Sequence, residues 1–74
     1  MIIYQLKEYF WNGKDYEVTL RHQSQNLNKV MLVAKKYLSN GQDTIIVEKM
    51  EQDEFGELVS TCTFDYIDIT GYEL

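Results

Sequence analysis

The sequence predicts an α+β fold of element order ββαββ, on three observations. Strand-like runs flank Asn12-Gly13, apolar residues recur at helical spacing from Leu27 to Leu38, and a second pair of strand-like runs flanks Gly56. Two hairpins around one helix imply a four-stranded sheet with the helix packed across one face. A chain of 74 residues supplies side chains for one core, so 1–74 is expected to form a single domain.

The first hairpin runs from Ile2 to Trp11 and from Lys14 to Arg21. Ile2, Tyr4, Leu6 and Phe10 share one face of the first strand, while Tyr16, Val18 and Leu20 alternate with polar residues in the second. A two-residue Asn-Gly turn would put these two apolar sets on opposite faces. A one-sided core therefore predicts a three-residue loop, Trp11-Asn12-Gly13, with Gly13 in the left-handed bulge position. That register sets Leu6 opposite Val18, Tyr4 opposite Leu20, and Lys7 opposite Glu17.

The helix is predicted from about Gln25 to Ser39, with Leu27, Val30, Met31, Ala34, Tyr37 and Leu38 in one stripe and Leu32 almost opposite it. Ser24 or Asn26 caps its start, and Asn40-Gly41 stops it. Thr44 to Glu51 and Glu57 to about Ile67 make the second hairpin, with positive φ expected at Gly56. Leu58, Ser60, Cys62, Phe64 and Tyr66 form the more apolar face of its second strand. The third strand offers either Ile45 and Val47 or Ile46 and Met50 to the core. A strand end or bulge is expected near Asp68, and Gly71 begins a short tail.

In element order and its tight Asn12-Gly13 turn the chain resembles the β-grasp architecture of small bacterial immunoglobulin-binding domains. The resemblance implies strand order 2-1-4-3, with the first and last strands parallel in the centre. A meander with the helix packed on it is the alternative.

The net charge of -5 is unevenly placed. Met1 to Val47 carries six basic and four acidic residues, a balance of +2, whereas Glu48 to Leu74 carries eight acidic and one basic, a balance of -7. Direct nucleic-acid binding is not expected, because contact with phosphates needs a basic face. A hydrophobic content of 45% excludes the disordered class. The longest apolar run, Val30 to Ala34, is far short of the ~20 residues of a membrane span. With no secretory leader pattern at Met1 and a single cysteine, the chain reads as cytoplasmic and without membrane association.

Residues that carry chemistry are sparse. His22, the only histidine, has no second ligand or nucleophile at defined spacing, and Cys62 reads as a buried, inert thiol. The acids around Asp53-Glu54-Phe55-Gly56-Glu57 lack the rhythm of a calcium loop. No catalytic set, cofactor site or metal site is therefore assigned, and the chain is read as a non-enzyme. The candidate protein interface comprises Tyr9, Trp11 and Arg21 on the helix-free sheet face, and Glu48, Glu51, Asp53, Glu54 and Glu57 on the acidic hairpin. In size, charge and compactness the chain resembles small phage-encoded proteins that block restriction or CRISPR nucleases. That resemblance implies an inhibitor whose carboxylates imitate nucleic-acid phosphates on a protein partner. The alternative is a homodimer formed through the open sheet face.

Overall fold

In the computed structural model, which describes Met1–Leu74, the apolar stripe at helical spacing forms helix α1 (Leu27–Ser39). Asn26 is the N-cap, its Oδ1 accepting from the Lys29 N–H at 3.4 Å, and Ser24 Oγ accepts from the Asn26 N–H at 3.0 Å. The two candidate caps thus act in series on N–H groups that the first turn leaves without carbonyl partners. At the other end Gly41 adopts φ +82°. Its N–H donates to the Leu38 carbonyl and that of Gln42 to the Tyr37 carbonyl, both at 3.0 Å, the paired bonds of a left-handed stop. Val30, Met31 and Ala34 point into the core, while Leu32 is exposed on the outer side.

Four strands, β1 (Ile2–Trp11), β2 (Tyr16–Ser24), β3 (Ile45–Gln52) and β4 (Leu58–Phe64), form one antiparallel sheet in the order β2-β1-β3-β4. The expected order 2-1-4-3 is therefore wrong. No parallel pair occurs, and a meander does not describe the sheet either, because β1 lies between β2 and β3. The composition of the strands explains the exchange. β3 brings the buried pair Ile45 and Val47 and takes the central place, while β4, with Ser60, Thr61 and Thr63, suits an exposed edge.

The register of the first hairpin also differs from expectation. Trp11 pairs with Tyr16, so the connection is Asn12–Asp15 rather than Trp11–Gly13. Asn12 organises it, its Oδ1 accepting from the N–H groups of Lys14 and Asp15 at 2.9 and 2.8 Å. Gly13 does take positive φ, at +96°. A bulge at Arg21 then shifts the ladder, from Lys7 opposite Leu20 to Leu6 opposite His22. Tyr16, Val18 and Leu20 consequently lie on the face away from Leu6. The core is one-sided, as assumed from the sequence, but the apolar residues of β2 lie on the face opposite to it.

On the helix side, Leu6, Ile45 and Val47 meet Val30, Met31 and Ala34 of α1. The seventh fully buried residue, Ile69, comes from an element absent from the sequence reading. The last strand ends at Phe64, and helix α2 (Tyr66–Thr70) follows. Asp65 and Asp68 form a reciprocal capping box that starts it. The segment after it is no free tail, because Tyr72 packs on the core and its hydroxyl donates to Asn28 Oδ1. Lys35 Nζ also donates to the Thr70 carbonyl at 3.3 Å. No helix is long and apolar enough to cross a membrane.

If α2 closes the core, Ile69→Ala should cost about 2–4 kcal/mol in urea unfolding. Ile67→Ala, two residues earlier and 75% exposed, should stay within about 0.5 kcal/mol. Equal effects at the two positions would contradict the packing of Ile69.

Candidate functional site

Strand alternation and the ladder register fix what the helix-free face presents. β1 contributes Ile3, Gln5, Lys7, Tyr9 and Trp11, as expected from the sequence. β2 contributes Tyr16, Val18 and Leu20, and β3 contributes Ile46, Glu48 and Met50. Tyr16 is 67% exposed and Val18 50%, so these side chains meet water rather than a second layer. The whole molecule is only 17 Å thick against 37 and 36 Å in its other dimensions, as one sheet under one helical layer requires.

The aromatic end of this face is ordered by cross-strand contact. The rings of Trp11 and Tyr16 lie 5.0 Å apart at 60°, and Tyr9 meets Tyr16 edge-on at 6.4 Å. Beside them is a shallow groove of about 420 Å³, lined by Tyr9, Tyr16, Ile45 and Ile46 and rimmed by Asp43 and Thr44. Its walls are mostly apolar, and its opening to solvent suits contact with a side chain better than enclosure of a small molecule.

Charge is nearly excluded from the face. Of the charged residues in the four strands, only Lys7 and Glu48 point to it, and they neutralise each other through an Nζ–Oε1 bridge of 2.8 Å. The bridge lies midway along the two central strands, at the centre of the sheet. Hydrogen bonds from Lys7 and then from the Ser60 hydroxyl hold the Glu48 carboxyl below its ordinary pKa. Partial desolvation opposes them, and the Lys7 charge adds a smaller lowering.

The remaining proposed interface residues are not gathered here. Arg21 sits at the β2 bulge with its guanidinium on the helix-side Glu8, Nε and Nη2 lying 2.8 and 2.7 Å from Oε1. It does not share a face with Tyr9 and Trp11, because the bulge shifts the alternation expected of β2. Thr19 pairs with Glu8 and likewise lies on the helix side. Glu51 is on the helix side opposite Ile2, held by Thr61 Oγ1 at 2.6 Å and by Lys49 at 3.9 Å. Asp53 orders the β3–β4 turn, its Oδ1 accepting from the N–H groups of Phe55 and Glu57, each at 2.9 Å. Gly56 has φ +81° there. Because β1 and β3 are antiparallel, this turn and the Asn12–Asp15 connection lie at opposite ends of the sheet. Of the acids named from the sequence, Glu48 alone shares the open face with Tyr9 and Trp11, and the other four are separate from it.

Two single residues also move. His22 is inside β2 opposite Leu6, because the strand runs on to Ser24 past the end expected at Arg21. Cys62 is exposed, not buried, because a bulge at Thr61 turns β4 and leaves this edge strand without cover. The same bulge places Leu58 and Ser60 on the open face but Cys62 and Phe64 on the helix side, dividing a row that the sequence pattern joined.

Tyr16, Val18, Leu20, Ile46 and Met50 are the face residues that the sequence reading missed. The facing of the β2 residues is set by the Asn12–Asp15 connection, and that of Ile46 and Met50, left open by the sequence, by the pairing of β3 with β1. No protein-family model matches the chain, and no curated protein or solved structure is significantly similar to it.

The depressed Glu48 pKa gives a stabilisation present above the ordinary carboxylate range and lost as pH falls through the folded-state value. Glu48→Gln should therefore cost on the order of 1 kcal/mol at neutral pH. The gap from the wild type should close on acidification. A gap that is constant from neutral to acid pH would contradict the assignment.

Proposed function

We propose that the chain is a non-enzymatic protein-interaction module that docks through its helix-free sheet face. The observation that carries this reading is the composition of that face. It presents exposed Trp11, Tyr16, Val18 and Leu20 with half-buried Tyr9, Ile46 and Met50, and its two charges cancel. Aromatic and aliphatic side chains release water on contact over a large area, which is the main source of association free energy. An exposed surface built only for solubility carries interspersed charge instead.

A second reading, the inhibitor that imitates nucleic-acid phosphates, draws on the β3–β4 turn. Asp53 holds that turn in one conformation, and Phe55 projects from it 82% exposed between Glu54 and Glu57. Such a tip suits an apolar pocket with a basic rim. Several of the other C-terminal acids have structural duties. Glu48 pairs with Lys7, Glu51 contacts Thr61 and Lys49, and Asp65 and Asp68 cap α2. Fewer carboxylates remain to form a row of phosphate-like charges, so the sheet face is the preferred site.

Affinity capture from the source cell with matched variants separates the two readings. Capture through the sheet face should fall roughly tenfold or more with Val18→Lys and stay unchanged when Glu54 and Glu57 are both replaced by Lys. The opposite pattern would transfer the function to the hairpin tip, and insensitivity to both changes would exclude both sites.

A further inference from the structure

We infer that the occupant of the open sheet face is a second copy of this chain, related by a two-fold axis that lies in the interface and runs across the strands. This inference rests on the docking reading and names its partner. A two-fold interface brings one patch against itself, so any net charge on the patch would meet the same charge. Here the chain has a net charge of -5, yet the strand residues of this face sum to zero through Lys7 and Glu48. A face with no net charge offers nothing to select an acidic or a basic partner, but it is complementary to itself.

The position of the ion pair supplies the geometry. Lys7 is mid-way along β1 and Glu48 mid-way along β3, the two central strands. Lys7 stands opposite Ile46 and Glu48 opposite Gln5, so the two charges are offset along the strands. A two-fold axis across the strands, midway between them, brings each Lys7 to the level of the partner's Glu48. Each Lys7 then lies beside the partner's Glu48 as well as its own, and the four charges meet at the centre. Desolvating a lone ion pair is unfavourable, and this arrangement gives each charge a second opposite neighbour. The apolar side chains on either side pack as the inner layer of an aligned β-sandwich.

The area is of the right order. Strands of 10, 9, 8 and 7 residues make the sheet. At ~3.3 Å per residue and ~4.8 Å between strands they give a flat footprint of roughly 500 Å². Side-chain relief raises the accessible area above that, toward the ~800 Å² per partner of a standard interface. Within one copy only seven side chains are fully buried, so a second layer adds substantially to a small core.

The test is the solution mass of the full chain by light scattering, from micromolar to submillimolar concentration. The expected mass is twice 8.8 kDa for the wild type. Val18→Lys should weaken the dimer on the order of tenfold or more, and Leu32→Lys, on the outer side of α1, should leave it intact. Circular dichroism checks folding, and Tyr16→Lys serves in place of Val18→Lys if that variant is unfolded. A monomeric wild type, or a dimer that resists the face variants or yields equally to Leu32→Lys, would overturn the inference. A monomer whose capture of another protein still depends on Val18 would overturn the second copy alone. A monomer whose capture ignores Val18 would remove the docking reading as well.

Discussion

The pairing of β1 with β2 is the constraint on which the rest of the molecule depends. Asn12 closes a connection that sets Trp11 opposite Tyr16, and this parity sends Tyr16, Val18 and Leu20 to the side away from Leu6. In a strand the side-chain period is two, so one residue of slip would exchange the faces. The bulge at Arg21 restores the ladder beyond Lys7 and lets Arg21 bind Glu8 on the helix side. β2 consequently gives no fully buried residue to the helical layer. The core is made by β1, β3, α1 and Ile69 of α2, and the apolar side chains of β2 belong to the opposite surface.

Polar interactions reinforce the same division. The acidic C-terminal third is largely tied to local structure, through the Asp53 turn, the Asp65–Asp68 capping box and the Glu51–Thr61 contact. The Lys7–Glu48 bridge is the one pair of charges on the strands of the open face, beside Gln5 and Ser60, and it leaves those strands neutral there. A surface so arranged gains from apolar contact and has a single ion pair whose desolvation opposes association.

Much of this was legible in the sequence because it is encoded locally. The α1 stripe, the Asn26 cap, the Gly41 stop, the positive φ of Gly13 and Gly56, and the odd-numbered face of β1 follow from spacing and turn chemistry. The strand order was not legible, because it rests on competition between β3 and β4 for the central place. The direction of β2 was hidden by two irregularities, a side-chain-organised connection and a bulge, whose joint effect on parity no periodicity reveals. The α2 helix was missed because five residues show little helical period, although Asp65 and Asp68 stand at capping-box spacing. The candidate site was therefore half visible. Tyr9, Trp11 and Glu48 share the open face, whereas Arg21 and the other four acids were joined to them without a shared surface.

If the helix-free face of the sheet is the association surface, it is covered when the protein acts. Solvent paramagnetic relaxation, read at side-chain resonances while protein concentration is raised, tests it most directly. Val18, Leu20 and Ile46 should become shielded from the soluble probe as concentration rises, while Leu32 and Phe55 remain strongly relaxed. Uniform relaxation of all five at every concentration, with no added partner able to change it, would contradict the account.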